Sequence, residues 1–230
     1  MDWLGWVAAG GGAVGAIAGA ALAARAFQNA RLVATVPPTP LSAMSPGLHE
    51  TRGTLAGEDA LVAPASRRPC LYFRFLVEEL RGGRWETVVD VREARAATLE
   101  DGTGRASLDL VAAEVVVVQP HRARSGVLPA PGPELAELFA RVGPPERAPA
   151  GPFVRWHEES LAAGDAVYVV GSAKGEGDAR EIGAGGGAPY VVSDRDEAEV
   201  VRHQRRAGRR WAALGVVGAA ALVWGALQLA

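Results

Sequence analysis

His157, Glu158 and Glu159 are consecutive and place one imidazole beside two carboxylates. Such a set could act as an acid–base pair or contribute to a metal site. Consecutive residues of a β-strand point to opposite faces, so at most two of the three can converge on one site. We therefore favour a solvated strand face, and hydrolysis through His157 and Glu159 is the alternative.

Cys70 is the only cysteine of the sequence and the candidate nucleophile. It begins the apolar, aromatic-rich stretch CLYFRFLV at 70–77, where a cysteine usually packs as a small hydrophobic side chain. A reactive thiol needs exposure and a basic partner. Arg67 and Arg68 are near in sequence, but no histidine is placed to pair with the thiol. The sequence favours a buried structural cysteine, and ubiquitin-type transfer through Cys70 is the alternative.

Two glycine-rich stretches, at 102–104 and 171–175, could be mistaken for phosphate-binding loops. Neither has the spacing of a Walker motif or a dinucleotide fingerprint, so we interpret both as turns. The chain also has only one Cys and four His, whereas a RING needs two full sets of such ligands for its two zinc ions. We predict no catalytic residue, no cofactor and no metal ligand.

The charge balance argues against a nucleic-acid partner. The sequence has 24 basic and 26 acidic residues and a formal net charge of −2 at pH 7, without the overall basic excess of nucleic-acid-binding domains. The arginines are concentrated locally, before an apolar run near the C-terminus. We predict a bilayer with anionic headgroups and a protein as partners.

Two apolar runs are long enough to cross a bilayer. About twenty uncharged residues span the roughly 30 Å of hydrocarbon as a helix. We predict transmembrane helices over residues 1–26 and 211–229. The alternative for the first run is a cleaved signal peptide, since Ala21–Ala23 resembles a cleavage site. Against it, the preceding residues include Asp2 and neither Lys nor Arg.

An arginine-rich helix is predicted to lead into the second span over residues 193–210, with Ser193 and Asp196 forming a capping box at its start. Arginines beside a bilayer attract anionic headgroups, worth about 1 kcal/mol each, and tryptophan favours the same depth. The predicted membrane-interface residues are Arg202, Arg205, Arg206, Arg209, Arg210 and Trp211.

Glycines recur at four-residue spacing in the first span, at Gly11, Gly15 and Gly19. Such a small-xxx-small pattern lets two membrane helices approach backbone to backbone. We predict that these glycines pack against small residues of the second span. The alternative is that they join copies of the chain, which would make the protein a homo-oligomeric membrane scaffold.

The central part of the chain has the pattern of a β domain. We predict a proline-rich linker over 27–46, a domain over 47–192 made of short strands and tight turns, and one inserted helix over 133–142. The Gly82-Gly83 turn predicts a hairpin of the strands on either side of it. This pattern favours a mainly β (α+β) fold, a small OB-like, partly open β-barrel. A two-layer sandwich would show the same pattern.

The order of these parts resembles the GIDE, or "beside-a-membrane", domain of the mitochondrial RING-type E3 ubiquitin ligase family, which also occurs in prokaryotic proteins. The resemblance rests on stretches in the same order. They are GLHETRGTL at 47–55, RRPCLYFRFLVEE at 67–79, RWETVVD at 84–90, LEDGTGRASLDL at 99–110, the helix at 133–142, HEESLAAGDAVYVVGSA at 157–173 and PYVVSDRDEAEVVRHQRRAGRRW at 189–211.

The resemblance implies a two-pass membrane protein whose GIDE domain lies between the spans. In the mitochondrial members a RING follows the second span and recruits the ubiquitin-conjugating enzyme. This sequence ends with the second span and lacks the zinc ligands, so we expect a prokaryotic-type member without the RING. It would act as an adaptor or regulatory binding module instead of a ligase.

Positive charges flank the inner ends of both spans. Arg25 and Arg31 follow the first, and five arginines precede the second. The positive-inside rule therefore predicts a cytoplasmic central domain. The mitochondrial relatives place theirs in the intermembrane space, which makes an outside, periplasmic location the alternative.

Overall fold

The computed structural model describes residues 3–57, 61–117, 121–124, 153–175 and 177–229. The chain forms two compact units, Met1–Val36 together with Asp196–Ala230, and Pro37–Arg195. The first is a helix pair and the second a β domain. The helix predicted over 133–142 lies outside the described residues.

The helix pair consists of α1 (Trp3–Val33) and α2 (Glu197–Leu229). Helix α1 continues to Val33, well into the residues predicted as a linker, and Pro37 and Pro38 follow its last turn. Both helices contain several glycines, although glycine disfavours helix, and each helix buries a stripe of small residues against the other.

The start of α2 differs from the predicted capping box. The helix begins at Glu197, because Asp196 is its cap: the Asp196 carboxylate accepts the backbone N–H of Glu199 at 3.0 Å. The Ser193 hydroxyl instead donates to the carbonyl of Val116 at 2.8 Å and accepts the N–H of Arg195. Ser193 therefore ends a strand and takes no part in the helix.

Thirteen strands and two 3₁₀ helices form the described part of the β domain. The 3₁₀ helices are Leu41–Ala43 and Gly177–Ala179. The strands are β1 (Gly47–Ala56), β2 (Leu61–Val62), β3 (Pro69–Cys70), β4 (Tyr72–Arg81), β5 (Arg84–Ala94), β6 (Ala97–Glu100), β7 (Arg105–Leu108), β8 (Glu114–Val116), β9 (His121–Arg124), β10 (Val154–Leu161), β11 (Ala166–Lys174), β12 (Glu181–Gly183) and β13 (Val191–Ser193).

Five of these strands close into a β-barrel. Strand β1 pairs antiparallel with β6 on one side and with β11 on the other, from Gly47↔Ala173 to Thr54↔Ala166. The circle continues through the antiparallel pair β6–β7, the parallel pair β7–β12 and the antiparallel pair β12–β11. The barrel is therefore closed, where the sequence predicted a partly open one. The fold is mixed α/β, with the long apolar helices at the two ends of the chain.

Branched and aromatic side chains from the inward positions of these strands fill the barrel. Its fully buried members include Leu55, Leu99, Val169 and Ile182. Each Leu or Ile side chain removed from water contributes on the order of 1.5–3 kcal/mol. Strands β8 and β13 extend the same sheet, since β13 pairs with β11 and β8 pairs with β13.

A second sheet of order β5-β4-β10-β9 lies beside the barrel sheet in the fold. Strands β4 and β5 form the hairpin predicted around Gly82 and Gly83, which is confirmed; both glycines have positive φ. Along the chain β4 and β5 fall between the first and second barrel strands, and β9 and β10 between the third and fourth. The second sheet buries Phe73, Phe75 and Val154 in a core of its own.

The segment from Pro37 to Pro46 is packed onto the β domain, and the linker predicted there is wrong over these residues. Leu41 is fully buried in the barrel core, beside Met44. The Leu41 backbone N–H donates to the Asp101 carboxylate at 2.7 Å, and the Thr39 N–H donates to the Glu50 carbonyl at 2.7 Å. Apolar burial and hydrogen bonding to barrel residues hold the segment in place.

Replacing Leu41 by Ala tests this docking. Because Leu41 is fully buried, Leu41→Ala should lower the free energy of unfolding of the β domain by about 2–5 kcal/mol. The measurement is urea unfolding of the full chain in detergent. Val111→Ala, at an exposed position of the same domain, should change it by no more than about 0.5 kcal/mol. A Leu41→Ala effect as small as that of the control would mean that the segment is a free linker.

Candidate functional site

The two helices touch backbone to backbone at glycines. A Cβ added to Gly19 would lie 2.6 Å from the Cα of Gly215, and one added to Gly218 would lie 2.5 Å from the backbone nitrogen of Ala16. Both distances are shorter than any real Cβ contact, so only glycine fits. This close approach is the packing mode of small-xxx-small membrane helices.

The predicted glycine stripe is displaced by one residue at its N-terminal end. Gly15 makes an ordinary contact, since an added Cβ would lie 3.6 Å from Gly218, whereas nothing lies within 4 Å of a Cβ at Gly11. The contact runs through Gly12 instead, where an added Cβ would lie 2.7 Å from the Gly218 carbonyl oxygen. At 3.6 residues per turn, a residue eight positions before Gly19 has turned about 80° away from it.

The faces of the helices that point away from this contact carry large hydrophobic side chains. Ile17 is 72% exposed and Leu227 is 71% exposed. Other exposed large hydrophobic residues of the two helices are Trp3, Trp6, Val7, Val14, Leu214, Val216, Val217, Val223 and Trp224. Soluble monomers rarely expose a continuous apolar surface of this kind. The segments Trp6–Val33 and Glu197–Gln228 are both long and apolar enough to cross a membrane.

The arginines predicted for the membrane interface form a polar segment near the start of α2, and all five are exposed. The Arg202 guanidinium pairs with the Glu199 carboxylate one turn earlier. In the described part of the chain, no carboxylate forms an ion pair with Arg205, Arg206, Arg209 or Arg210. Trp211 follows them and is partly exposed.

The His157–Glu158–Glu159 set is divided between the two faces of β10, as the alternation of a strand requires. On one face, His157 Nε2 lies 2.8 Å from Glu159 Oε1. On the other, Glu158 has 0% exposure and accepts the backbone N–H groups of Ala65, at 2.6 Å, and Ser66, at 3.0 Å. The solvated face expected for all three is therefore wrong for Glu158, whose carboxylate fixes the turn between β2 and β3.

Two arginine–carboxylate pairs flank His157 and Glu159 on the same sheet face. Arg74 donates to both carboxylate oxygens of Asp90, at 2.9 and 2.8 Å, and Arg155 makes the same two-pronged contact with Glu78. These hydrogen bonds hold the pKa of Asp90 and of Glu78 below their usual range. The charged side chains of this face are held in fixed ion pairs that join neighbouring strands. Such pairs orient the strands relative to one another.

Cys70 is 1% exposed and lies in the short pair β2–β3. Burial, and next the charge of Glu158, raise the pKa of its thiol to about 11. The thiol is thus protonated at neutral pH and screened from solvent, the opposite of what a nucleophile requires. The buried position predicted from the sequence is confirmed. Among the described residues, no group of His, Cys, Asp and Glu could hold a metal ion.

A cavity of about 550 Å³ on the β domain contains residues that the sequence analysis missed. Ser42 and Ser45 of the docked segment line it on one side, and Arg105 and Arg180 on the other. Arg180 has only 6% of its surface exposed. Its position is set by the 3₁₀ turn Gly177–Ala179 and by β12, and nothing in the spacing of the sequence distinguishes it from the many other arginines.

Comparisons with protein-family models, with curated proteins and with solved structures found no match. The resemblance to the GIDE domain therefore stays a prediction from the sequence.

The glycine contact can be tested by making one substitution at two positions of the same helix. Gly19→Ala should lower the stability of the helix pair by about 1–3 kcal/mol, because the new methyl group meets the Gly215 backbone. The methyl group added by Gly11→Ala meets no atom. This substitution should leave the stability of the helix pair unchanged or raise it by up to about 1 kcal/mol, since alanine favours helix. The measurement is loss of helical circular dichroism as SDS is titrated into the full chain in mild detergent. Equal effects of the two substitutions would contradict the contact.

Proposed function

We propose that the protein is a two-pass, membrane-anchored binding module that acts as an adaptor or regulatory protein. The observation that carries this proposal is the helix pair, which joins its backbones through glycines and turns large hydrophobic side chains outward along both helices. In water, such a surface would associate with other apolar surfaces, whereas in a bilayer the lipid chains solvate it. The bilayer is thus the environment that these two helices fit.

The exposed arginines at the start of α2 support the same proposal. Four of them have no protein carboxylate as partner in the described part of the chain, so their charges are available to anionic headgroups. Trp211 follows directly, where its indole suits the headgroup region. Together with Arg25 and Arg31 near the inner end of the first span, they support a cytoplasmic β domain by the positive-inside rule.

The β domain supplies the binding role. Numbered along the chain, the five barrel strands lie in the order first, second, third, fifth, fourth, with only the third and fifth parallel. This order supports an OB-like, Greek-key barrel, a type that binds ligands on its sheet face and loops. The near-neutral net charge points away from nucleic acid as a ligand and is compatible with a protein. The resemblance to prokaryotic GIDE-domain proteins without a RING agrees with this role.

The two alternatives have less support. An enzyme would need a competent nucleophile or acid–base pair, whereas the Cys70 thiol is buried and the His157–Glu159 pair lies on a sheet face between two fixed arginine–carboxylate pairs. A scaffold that oligomerises through the glycine stripe would need that stripe free, whereas Gly12 and Gly19 already contact α2 of the same chain.

The side of the membrane can be tested by thiol labelling in bacterial spheroplasts. Val111→Cys places a thiol at an exposed site of the β domain. A membrane-impermeant maleimide should leave it unlabelled in intact spheroplasts and label it after lysis. The unsubstituted chain is the control, because its Cys70 thiol is buried and protonated and should remain unlabelled in both samples. Labelling of Val111→Cys in intact spheroplasts would put the domain outside.

A further inference from the structure

The cavity beside Arg180 contains a buried positive charge that pairs with no carboxylate of the described residues. A guanidinium group stays protonated at every physiological pH, so burying it is costly unless an anion or several acceptors surround it. The one hydrogen bond of its side chain runs from Nη2 to the Met44 carbonyl, at 3.3 Å. Arg180 Nε has no acceptor, and no ion pair of Arg180 is present among the described residues. The site therefore has an unfilled requirement for an acceptor.

A second arginine lines the same cavity. Arg105 begins β7 and Arg180 directly precedes β12, and these two strands pair in parallel through Glu181↔Ser107. The parallel pairing places both arginines at the same end of neighbouring strands. Arg105 is exposed at the cavity rim and forms no ion pair with a described residue. The cavity thus combines one buried positive charge with one exposed positive charge.

The turn that carries Thr103 and Gly104 of the cavity lining also carries a carboxylate, that of Asp101. Asp101 accepts hydrogen bonds from the backbone N–H groups of Leu41 at 2.7 Å, Thr103 at 2.8 Å and Gly104 at 3.0 Å. Burial raises the pKa of Asp101, but these bonds outweigh burial and the pKa lies below its usual range. The ionised carboxylate is directed at the loop, which it holds in the shape that forms the cavity wall.

We propose that this cavity binds a phosphomonoester group, whose charge of about −1.5 to −2 at neutral pH matches the two arginines. The buried Arg180 guanidinium supplies the fixed positive charge, the exposed Arg105 donates to the phosphate oxygens, and the hydroxyls of Ser42 and Ser45 supply further donors. An arginine fork suits phosphate geometry, and the volume leaves room for the remainder of the ligand. The inference rests on the proposed binding role and gives it a ligand class, supplied either by a soluble compound or by a lipid headgroup.

The test is isothermal titration calorimetry of the full chain in phosphatidylcholine nanodiscs, with methyl phosphate as the probe. We expect saturable binding at one site. Arg180→Gln should weaken it at least about tenfold and Arg105→Gln about three- to tenfold, since each loses a charge-assisted hydrogen bond. Arg95→Gln, an exposed arginine away from the cavity, should bind as the unsubstituted chain does. Because Arg105 is exposed, its substitution keeps the test valid even where Arg180→Gln disturbs folding.

A second set of nanodiscs, containing phosphatidic acid, distinguishes the two sources of phosphate. Loss of methyl phosphate binding there identifies a lipid headgroup as the natural occupant, and unchanged binding identifies a soluble ligand; both support the proposal. The absence of saturable binding in phosphatidylcholine nanodiscs would overturn it, as would equal affinity for acetate or equal binding by Arg105→Gln. A chain that enters nanodiscs but binds no phosphate refutes this inference alone, whereas a chain that does not enter them refutes the proposed anchoring.

Discussion

The contact of two helix backbones at glycines is the constraint on which the account of this protein depends. Where Gly19 meets Gly215 and Gly218 meets Ala16, no side chain can stand between the helices. The large side chains are consequently on the outer faces, where Ile17 is among the most exposed hydrophobic residues of the protein. A helix pair built in this way is stabilised by close van der Waals packing, and it leaves an apolar surface that only another apolar phase can cover.

In the β domain, by contrast, many polar side chains have hydrogen-bond partners within the protein. Glu158 holds the turn between β2 and β3, Asp101 holds the docked segment through Leu41, and Arg74 is bound to Asp90. These carboxylates and arginines fix the backbone and the strands. Arg180 differs from them, since within the described part of the chain its buried Nε has no acceptor.

The sequence predicted local features well and long-range ones poorly. Hydrophobic runs located both long helices, and the Gly82–Gly83 turn located the β4–β5 hairpin, because each depends on neighbouring residues. Closure of the barrel depends on β1 pairing with β11, which is more than a hundred residues away along the chain. Burial of Glu158 and of Arg180 depends on segments that pack over them from elsewhere. The shift from Gly11 to Gly12 reflects the rotation of one helix against the other, which spacing alone leaves open.

The central claim is that the helix pair lies within a bilayer, and extraction of membranes with alkaline carbonate tests it most directly. The account predicts that the full chain remains in the membrane pellet and is released only by detergent, because the outer faces of α1 and α2 are solvated by lipid. Release of the unmodified chain into the carbonate supernatant would contradict the account. It would show that the apolar faces are covered by protein.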